Sequence, residues 1–291
     1  MPGEVLHNWV MDTALAAKEE RLRTAIRSLE AAVVAYSGGV DSALVAAVAH
    51  EELAERALAV TAVSPSLARR ELDAAKALAA ERGWNHKLIG TKEVIRERYA
   101  RNDPDRCYWC KTELFDALLP LAQEMNAAIV TGTNAEDLGD YRPGLAAAQE
   151  HGVRAPLAEA GLAKAEVREL SARLGLPTAD KPASPCLASR FAYGVRVTPA
   201  GLRRIERAEE VVRKLGFGDL RVRDHGDLAR IEVPARDIPR AAILHEEIAE
   251  ALGRLGFAFV TLDLKGFRSG SLNQVLQHPT IRRSSAEGAE G

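Results

Sequence analysis

Hydrophobic residues fall at helical spacing through residues 13–31, where Leu15, Leu22, Ile26 and Leu29 lie near one face. The period then changes. AAVVAY (31–36) is an apolar run of strand length that stops at Ser37-Gly38-Gly39, and residues 42–55 read again as a helix. Residues 57–63 predict a second strand, 67–82 a helix with Leu72, Ala75 and Leu78 on one side, and 84–89 a third strand. Residues 114–125 predict a helix, AAIVTG (127–132) and VRAPL (153–157) two further strands, and 164–174 a helix ended by Gly175 and Pro177. Strands separated by helices predict an α/β fold with a parallel, doubly wound sheet.

From Thr178 to Pro199 no period survives, and ADKPASPCLASRFAYGVRVTP (179–199) carries three prolines, the composition of a functional loop. Beyond it Leu202, Ile205, Ala208, Val212 and Leu215 mark an amphipathic helix. Residues 220–225 and 228–233 alternate as strands around a Gly226-Asp227 turn, 240–255 predict a helix and 257–264 a strand. Period two puts Arg221, Arg223 and His225 on one face of the first strand and Arg230 and Glu232 on one face of the second. Such a polar face is either a solvated sheet surface or a phosphate clamp. The expected organisation is an α/β domain over 1–180, a cysteine-bearing linker over 181–199, a smaller α+β domain over 200–276 and a disordered tail over 277–291.

Composition narrows the function classes. The 291 residues are 47% hydrophobic with a formal net charge of −2, so the basic excess of a nucleic-acid-gripping protein is absent. No run of about 18 apolar residues predicts a membrane span, and MPGEVLHNWVMDT has no secretory pattern, so the expected location is cytoplasmic. Three cysteines, Cys107, Cys110 and Cys186, do not read as a disulfide framework. The C-x-x-C pair is open to cluster, zinc or redox use, with His86, His151 or His225 as a further zinc ligand.

SGGVDS, between a buried strand and a helix, has the parts of a phosphate site. Gly38 and Gly39 let backbone N–H groups approach an anion, the following helix adds its positive dipole end, and Ser37 and Ser42 add hydroxyls. Asp41 beside an anion makes sense with a bridging divalent cation. The pattern lacks the Lys of GxxxxGK[ST]. TGTNAEDLGDYRPGL (131–145) follows a strand end, where open α/β sheets place ligands, so Asn134, Asp137, Asp140 and Arg142 are candidate contacts.

SGGVDS resembles the signature of the PP-loop ATP pyrophosphatases, and PLAEAGLAKAEVRELSARLGLP (156–177) resembles their Lys-bearing helix, which implies that Lys164 approaches the phosphates. With DRCYWCKTELF (105–115), TGTNAEDLGDYRPGL, CLASRFAYGVRVTP (186–199) and RVRDHGDLARIEV (221–233), nearly the whole chain resembles the LarE family of sulfur transferases. That resemblance implies that ATP with Mg2+ adenylates a carboxylate of pyridinium-3,5-biscarboxylic acid mononucleotide, which then becomes a thiocarboxylate of the nickel-pincer cofactor precursor. It implies catalytic Cys186, Asp41 and Lys164, and nucleotide contacts from Ser37, Gly38, Gly39, Asp41, Ser42, Ser64, Gly132, Asn134 and Asp137. Arg190, Arg221 and Arg223 are expected at the substrate phosphate, and Glu209 and Glu232 at a divalent metal. Single-cysteine members sacrifice the CLASR cysteine to dehydroalanine, whereas three-cysteine members imply a [4Fe–4S] cluster on Cys107, Cys110 and Cys186. The partner is then a small mononucleotide, with no nucleic acid and no membrane, and a homo-oligomer is implied. A tRNA-thiolating enzyme and a non-catalytic nucleotide- or sulfur-binding protein stay as alternatives.

Overall fold

A computed structural model describes residues 13–139 and 143–268. In chain order the first elements are α1 (Thr13–Arg27), β1 (Ala32–Ala35), α2 (Val40–Leu53), β2 (Ala57–Val63), α3 (Arg69–Glu81), β3 (His86–Gly90), α4 (Glu97–Ala100), α5 (Arg106–Glu124) and β4 (Ala128–Val130). They are followed by α6 (Pro143–Glu150), α7 (Pro156–Glu159), α8 (Lys164–Arg173), α9 (Pro199–Lys214), β5 (Arg221–Asp224), β6 (Leu228–Glu232), α10 (Ile238–Ile243), α11 (His245–Gly253) and β7 (Phe259–Leu262). The described residues divide into two compact units, one of 13–93 and 105–184 and one of 94–104 and 185–268.

The first unit holds a parallel sheet in the order β3-β2-β1-β4. Successive β1 residues point to opposite faces. Val34 packs with Leu22, Ile26, Leu44, Val48, Val167 and Leu170 from α1, α2 and α8, whereas Val33 packs with Phe115, Leu118 and Ala147 from α5 and α6. Helices thus cover both faces, as expected of a doubly wound sheet. The Ala-rich helix α2 is buried nearly all round, because Ala43, Ala46, Ala47 and Ala49 let neighbours approach from several sides. Chain order reverses at β1, which lies between β2 and β4. The loops after β1 and β4 therefore part at the C-terminal edge, the place where such sheets bind ligands.

The second unit holds an antiparallel β5–β6 hairpin with β7 parallel to β6. The α9 residues Ala208 and Val212 pack with Val222, Ile231, Ile248 and Leu252 in its core.

Four sequence expectations change. VRAPL contributes one bridge, Val130 to Arg154, and then the helix α7, because Pro156 takes a first-turn position. Helix α5 starts at Arg106, eight residues before the expected 114, so Cys107 and Cys110 lie on it. The helix expected over 240–255 is two helices that meet at Leu244. The 94–104 segment groups with the second unit: the Asn102 side chain donates to the Ala192 and Val195 carbonyls at 2.8 and 3.1 Å, and Val197 N–H donates to the Ala100 carbonyl at 2.8 Å. The boundary expected at 180 falls at 184 in this division. The expected tail over 277–291 lies outside the described residues. Among the described residues no helix is long and apolar enough to cross a membrane.

Candidate active site

The loop after β1 is built as an anion cradle. Gly38 takes φ +73°, and a Cβ there would stand 2.8 Å from the Ala75 Cβ on α3. Ser37 and Ser42 hydroxyls lie 3.0 Å apart, and Ser37 N–H donates to Ser42 Oγ at 3.2 Å, which closes the turn. Gly39 is the N-cap of α2 and no side chain caps that helix start. Its first-turn N–H groups and dipole thus point at the loop.

The loop after β4 lies against this helix start. A Cβ on Gly132 would stand 2.6 Å from Ser42 N and 2.8 Å from the Asp41 carbonyl carbon, so the two backbones touch there. Asn134, buried, donates from Nδ2 to Asp41 Oδ1 at 3.2 Å and accepts the Glu136 and Asp137 N–H groups on Oδ1. Asp137 Oδ2 accepts Asn134 N–H at 3.1 Å. Lys164 Nζ meets the other Asp41 oxygen at 2.5 Å, while its backbone N–H donates to Glu136 at 3.0 Å. A partly exposed ion pair of this kind is worth about 1 kcal/mol or less. Lys164 and Asp41 can therefore exchange partners for a phosphate and its cation at small cost. Asp140 and Arg142 lie outside the described residues.

At the end of β2, Ser64 and Ser66 hydroxyls both donate to Glu93 Oε1, which ties Ser64 to a buried carboxylate. A contact the sequence did not suggest lies on the other side of the glycines. Lys181 Nζ donates to the Gly38 carbonyl and to Glu71 Oε2, each at 2.8 Å, and Ser184 Oγ donates to Glu71 Oε1 at 3.0 Å. Burial alone would raise the Glu71 pKa. Hydrogen bonding and attraction from Lys181, with Ser184 and Arg70, outweigh it and leave the carboxyl below its ordinary value.

The cysteines divide between the units. Cys107 and Cys110 occupy one face of the first turns of α5, three residues apart, Cys107 exposed and Cys110 half-buried. Trp109 donates from Nε1 to Asp105 Oδ2 at 2.9 Å and meets Tyr108 edge-on. Cys186 precedes a 3-10 turn, Leu187–Arg190, and is half-buried. Three thiols are the right kind of donor for an iron–sulfur cluster. Among the described residues no three His, Cys, Asp or Glu side chains gather as a metal-binding group. Of the histidines considered for zinc, His86 bonds Thr61 and His151 bonds Asp116.

In the second unit the polar hairpin face is covered by the turn that follows Cys186. Arg223 donates from Nη1 to the Ser189 carbonyl at 2.9 Å and pairs through Nε and Nη2 with Glu232 Oε2 at 3.0 and 2.8 Å. Arg230 reaches the other Glu232 oxygen at 3.0 Å, and Glu232 is 0% exposed. Arg190, 1% exposed, holds Glu209 Oε1 at 2.8 Å and donates from Nη1 to the Pro185 and Cys186 carbonyls at 2.5 and 3.1 Å. Arg221 stacks on Phe267, its Cζ 4.9 Å from the ring centroid. Around Arg223 and Glu232 the face is thus closed, while Arg230 and His225 stay half-buried. In this conformation Arg190 and Arg223 anchor the Cys186 turn through its carbonyls, and Glu209 and Glu232 are the counter-ions of those arginines.

Residues 15–117 match the NAD synthase family model. The chain is 48% identical over 265 residues to an uncharacterized protein of Synechocystis sp., covering 90% of this chain and 99% of that protein. It is 39% identical over 264 residues to the pyridinium-3,5-bisthiocarboxylic acid mononucleotide synthase of Lactiplantibacillus plantarum, covering 90% of this chain and 96% of that one. The chain belongs to the LarE family. Similarity to a tRNA-specific 2-thiouridylase of Rickettsia peacockii is thinner, 29% over 191 residues and 52% of each chain.

Within this LarE-family chain, the structure brings Ser37, Gly38, Gly39, Asp41, Ser42, Gly132, Asn134, Asp137 and Lys164 together at one sheet edge. Ser64 lies at the end of the neighbouring strand β2. Cys186, Arg190, Arg223, Glu209 and Glu232 form a second cluster. The contact of Glu71 with Lys181 is not visible in the sequence, because the two lie 110 positions apart with no shared motif.

Proposed function

We propose that the chain is an ATP-dependent sulfur transferase of nickel-pincer nucleotide biosynthesis, which adenylates a carboxylate of pyridinium-3,5-biscarboxylic acid mononucleotide and converts it to a thiocarboxylate. The observation that carries this reading is the cradle at Ser37–Ser42 with Asp41 set between Asn134 and Lys164. A substrate carboxylate oxygen attacks the α-phosphorus of ATP, and pyrophosphate leaves with the bridging electron pair. Backbone N–H groups and the Ser37 and Ser42 hydroxyls bind the departing pyrophosphate. Lys164 offsets the charge that builds there. Asp41 is the carboxylate that would hold the magnesium of MgATP, which neutralises the phosphates.

The acyl adenylate is an activated electrophile. In the sacrificial route the Cys186 thiolate attacks its carbonyl carbon, the bond to AMP breaks, and AMP leaves with the electron pair as a thioester forms. Loss of the Cys186 α-proton with cleavage of the Cβ–S bond then frees the thiocarboxylate and leaves dehydroalanine. Arg190 and Arg223 fix the turn that presents the thiol. Cys107, Cys110 and Cys186 are the residues that would hold a [4Fe–4S] cluster, which would supply an exchangeable sulfide in place of the cysteine sulfur; the i, i+3 thiol pair on α5 supports that ligation. The same reading carries a reduced cytoplasmic setting and a homo-oligomer.

The test mixes anaerobically purified protein, ATP, magnesium and the biscarboxylate mononucleotide, with the thiocarboxylate read by mass spectrometry. Absence of product from folded protein sinks the assignment. A chain lighter by the elements of hydrogen sulfide at Cys186 marks the sacrificial route, and broad visible absorbance with an unchanged chain mass marks the cluster.

A further inference from the structure

Two glycines in series make the Gly38–Gly39 peptide easy to flip, since glycine takes φ of either sign at little cost. A flip would turn the Gly38 carbonyl, rather than the Gly39 N–H, toward a bound phosphate and replace attraction by repulsion. On the N–H side the Ser37 hydroxyl accepts a long hydrogen bond from Gly39 N–H at 3.4 Å. On the carbonyl side the loop's own hydroxyls make no contact: Ser42 Oγ donates to Gly39 O instead.

Lys181 makes this contact. Its ammonium donates to the Gly38 carbonyl at 2.8 Å. The carbonyl and N–H of a trans peptide point in opposite directions. An ammonium on the carbonyl side therefore keeps the Gly39 N–H on the opposite side, the side from which it donates to Ser37 Oγ at 3.4 Å. Lys181 is itself held at both ends. Arg168 donates to the Ala179 and Lys181 carbonyls at 2.5 and 2.9 Å and fixes the backbone. Glu71 fixes the ammonium at 2.8 Å. Glu71 lies one helical turn before Ala75, on the same face of α3, and Ala75 is the residue packed beneath Gly38. One helix face thus carries both the floor of the loop and the brace for its cation.

We propose that Lys181, braced by Glu71, is a positioning residue of the phosphate loop that locks the Gly38–Gly39 peptide with its N–H toward the β- and γ-phosphates. The proposal rests on the ATP reading of the loop and adds a determinant of polyphosphate affinity. A brace of the fold alone would not distinguish ligands with and without those phosphates.

The test titrates the full chain calorimetrically with magnesium and α,β-methylene-ATP, which cannot be cleaved at the α–β bond, and separately with AMP. Lys181→Met should weaken the analogue by about 10–100-fold, the worth of one hydrogen bond to a charged group, and leave AMP within about 3-fold. Lys181→Arg should recover most of the loss. Glu71→Gln keeps a partner for Ser184 and should fall between; it carries the test if Lys181→Met does not fold. Analogue binding within about 3-fold of the unmodified chain, or equal losses for analogue and AMP, would overturn the proposal. An unmodified chain that does not bind the analogue overturns both readings. One that binds it and makes no thiocarboxylate overturns only the sulfur-transfer reading, because the titration needs no acceptor.

Discussion

Glu209→Gln separates a structural carboxylate from a metal ligand. In the structure Glu209 and Arg190 are a buried pair with side chains 4% and 1% exposed, joined at 2.8 and 3.3 Å, and Glu209 also accepts the Val222 N–H at 3.3 Å. Glutamine keeps the volume and one acceptor, but it removes the counter-charge and turns an amide toward a guanidinium donor. Removal of one partner from a buried ion pair costs about 3–5 kcal/mol, because the remaining charge is left uncompensated. At roughly 2–4 °C per kcal/mol for a chain near this size, the melting transition should fall by about 6–20 °C. Scanning calorimetry in chelator-treated buffer reads the shift without any metal. The double variant R190M/E209L replaces the pair by apolar groups and should recover much of the loss. A fall of less than about 2 °C for Glu209→Gln, or a double variant no better than the single, would refute the reasoning. A single variant that melts normally and loses only a manganese-induced stabilisation would return Glu209 to the metal.

Gly132→Ala should disable the nucleotide site while the sheet still folds, since its Cβ would meet Ser42 N and the Asp41 carbonyl carbon at 2.6 and 2.8 Å. Overpacking of this kind costs about 1–3 kcal/mol, so α,β-methylene-ATP affinity should fall by about 5–100-fold with far-ultraviolet circular dichroism unchanged. Burial lowers the His225 pKa below the ordinary 6.5, Arg230 and Arg223 add to the effect, and Asp224 and Glu232 oppose it. The folded state therefore resists protonation, so the contribution is intact above pH 6.5 and declines as pH falls below it toward the folded pKa. Urea midpoints between pH 7.5 and 5 should drop less for His225→Phe than for the unmodified chain; equal slopes would exclude this linkage.

Much of the first unit was legible because its signals are local. The Val33–Val34 alternation, the Ala-rich helix and the Ser-Gly-Gly turn each sit within a few residues. Where the apolar stripe is late, local reading fails. RCYWCKTE (106–113) has no buried periodic face apart from Arg106, and the buried residues Phe115, Leu118 and Ala122 begin a full two turns into α5. The sequence therefore shows the thiol pair without its helix. VRAPL failed differently: its apolar residues suggested a strand, but one bridge and a proline turned it into a helix start.

The arginine hairpin shows what period two can and cannot say. Alternation placed Arg221, Arg223, Arg230 and Glu232 on one face, and the structure keeps that register, with Arg223 opposite Arg230 and Arg221 opposite Glu232. It could not say what covers the face, because the cover comes from residues 187–191, more than 30 positions earlier, through the Arg223 bond to Ser189 and the bridge of Phe191 to Asp224. Burial then shapes the chemistry. A guanidinium removed from water is costly without a counter-charge, and two buried arginines here pair with carboxylates: Arg190 with Glu209 and Arg223 with Glu232. Acidic residues that looked like metal ligands in sequence are in this structure the condition for keeping cations beside Cys186. A phosphate brought to Arg223 would compete directly with Glu232 for a guanidinium that also holds the Ser189 carbonyl.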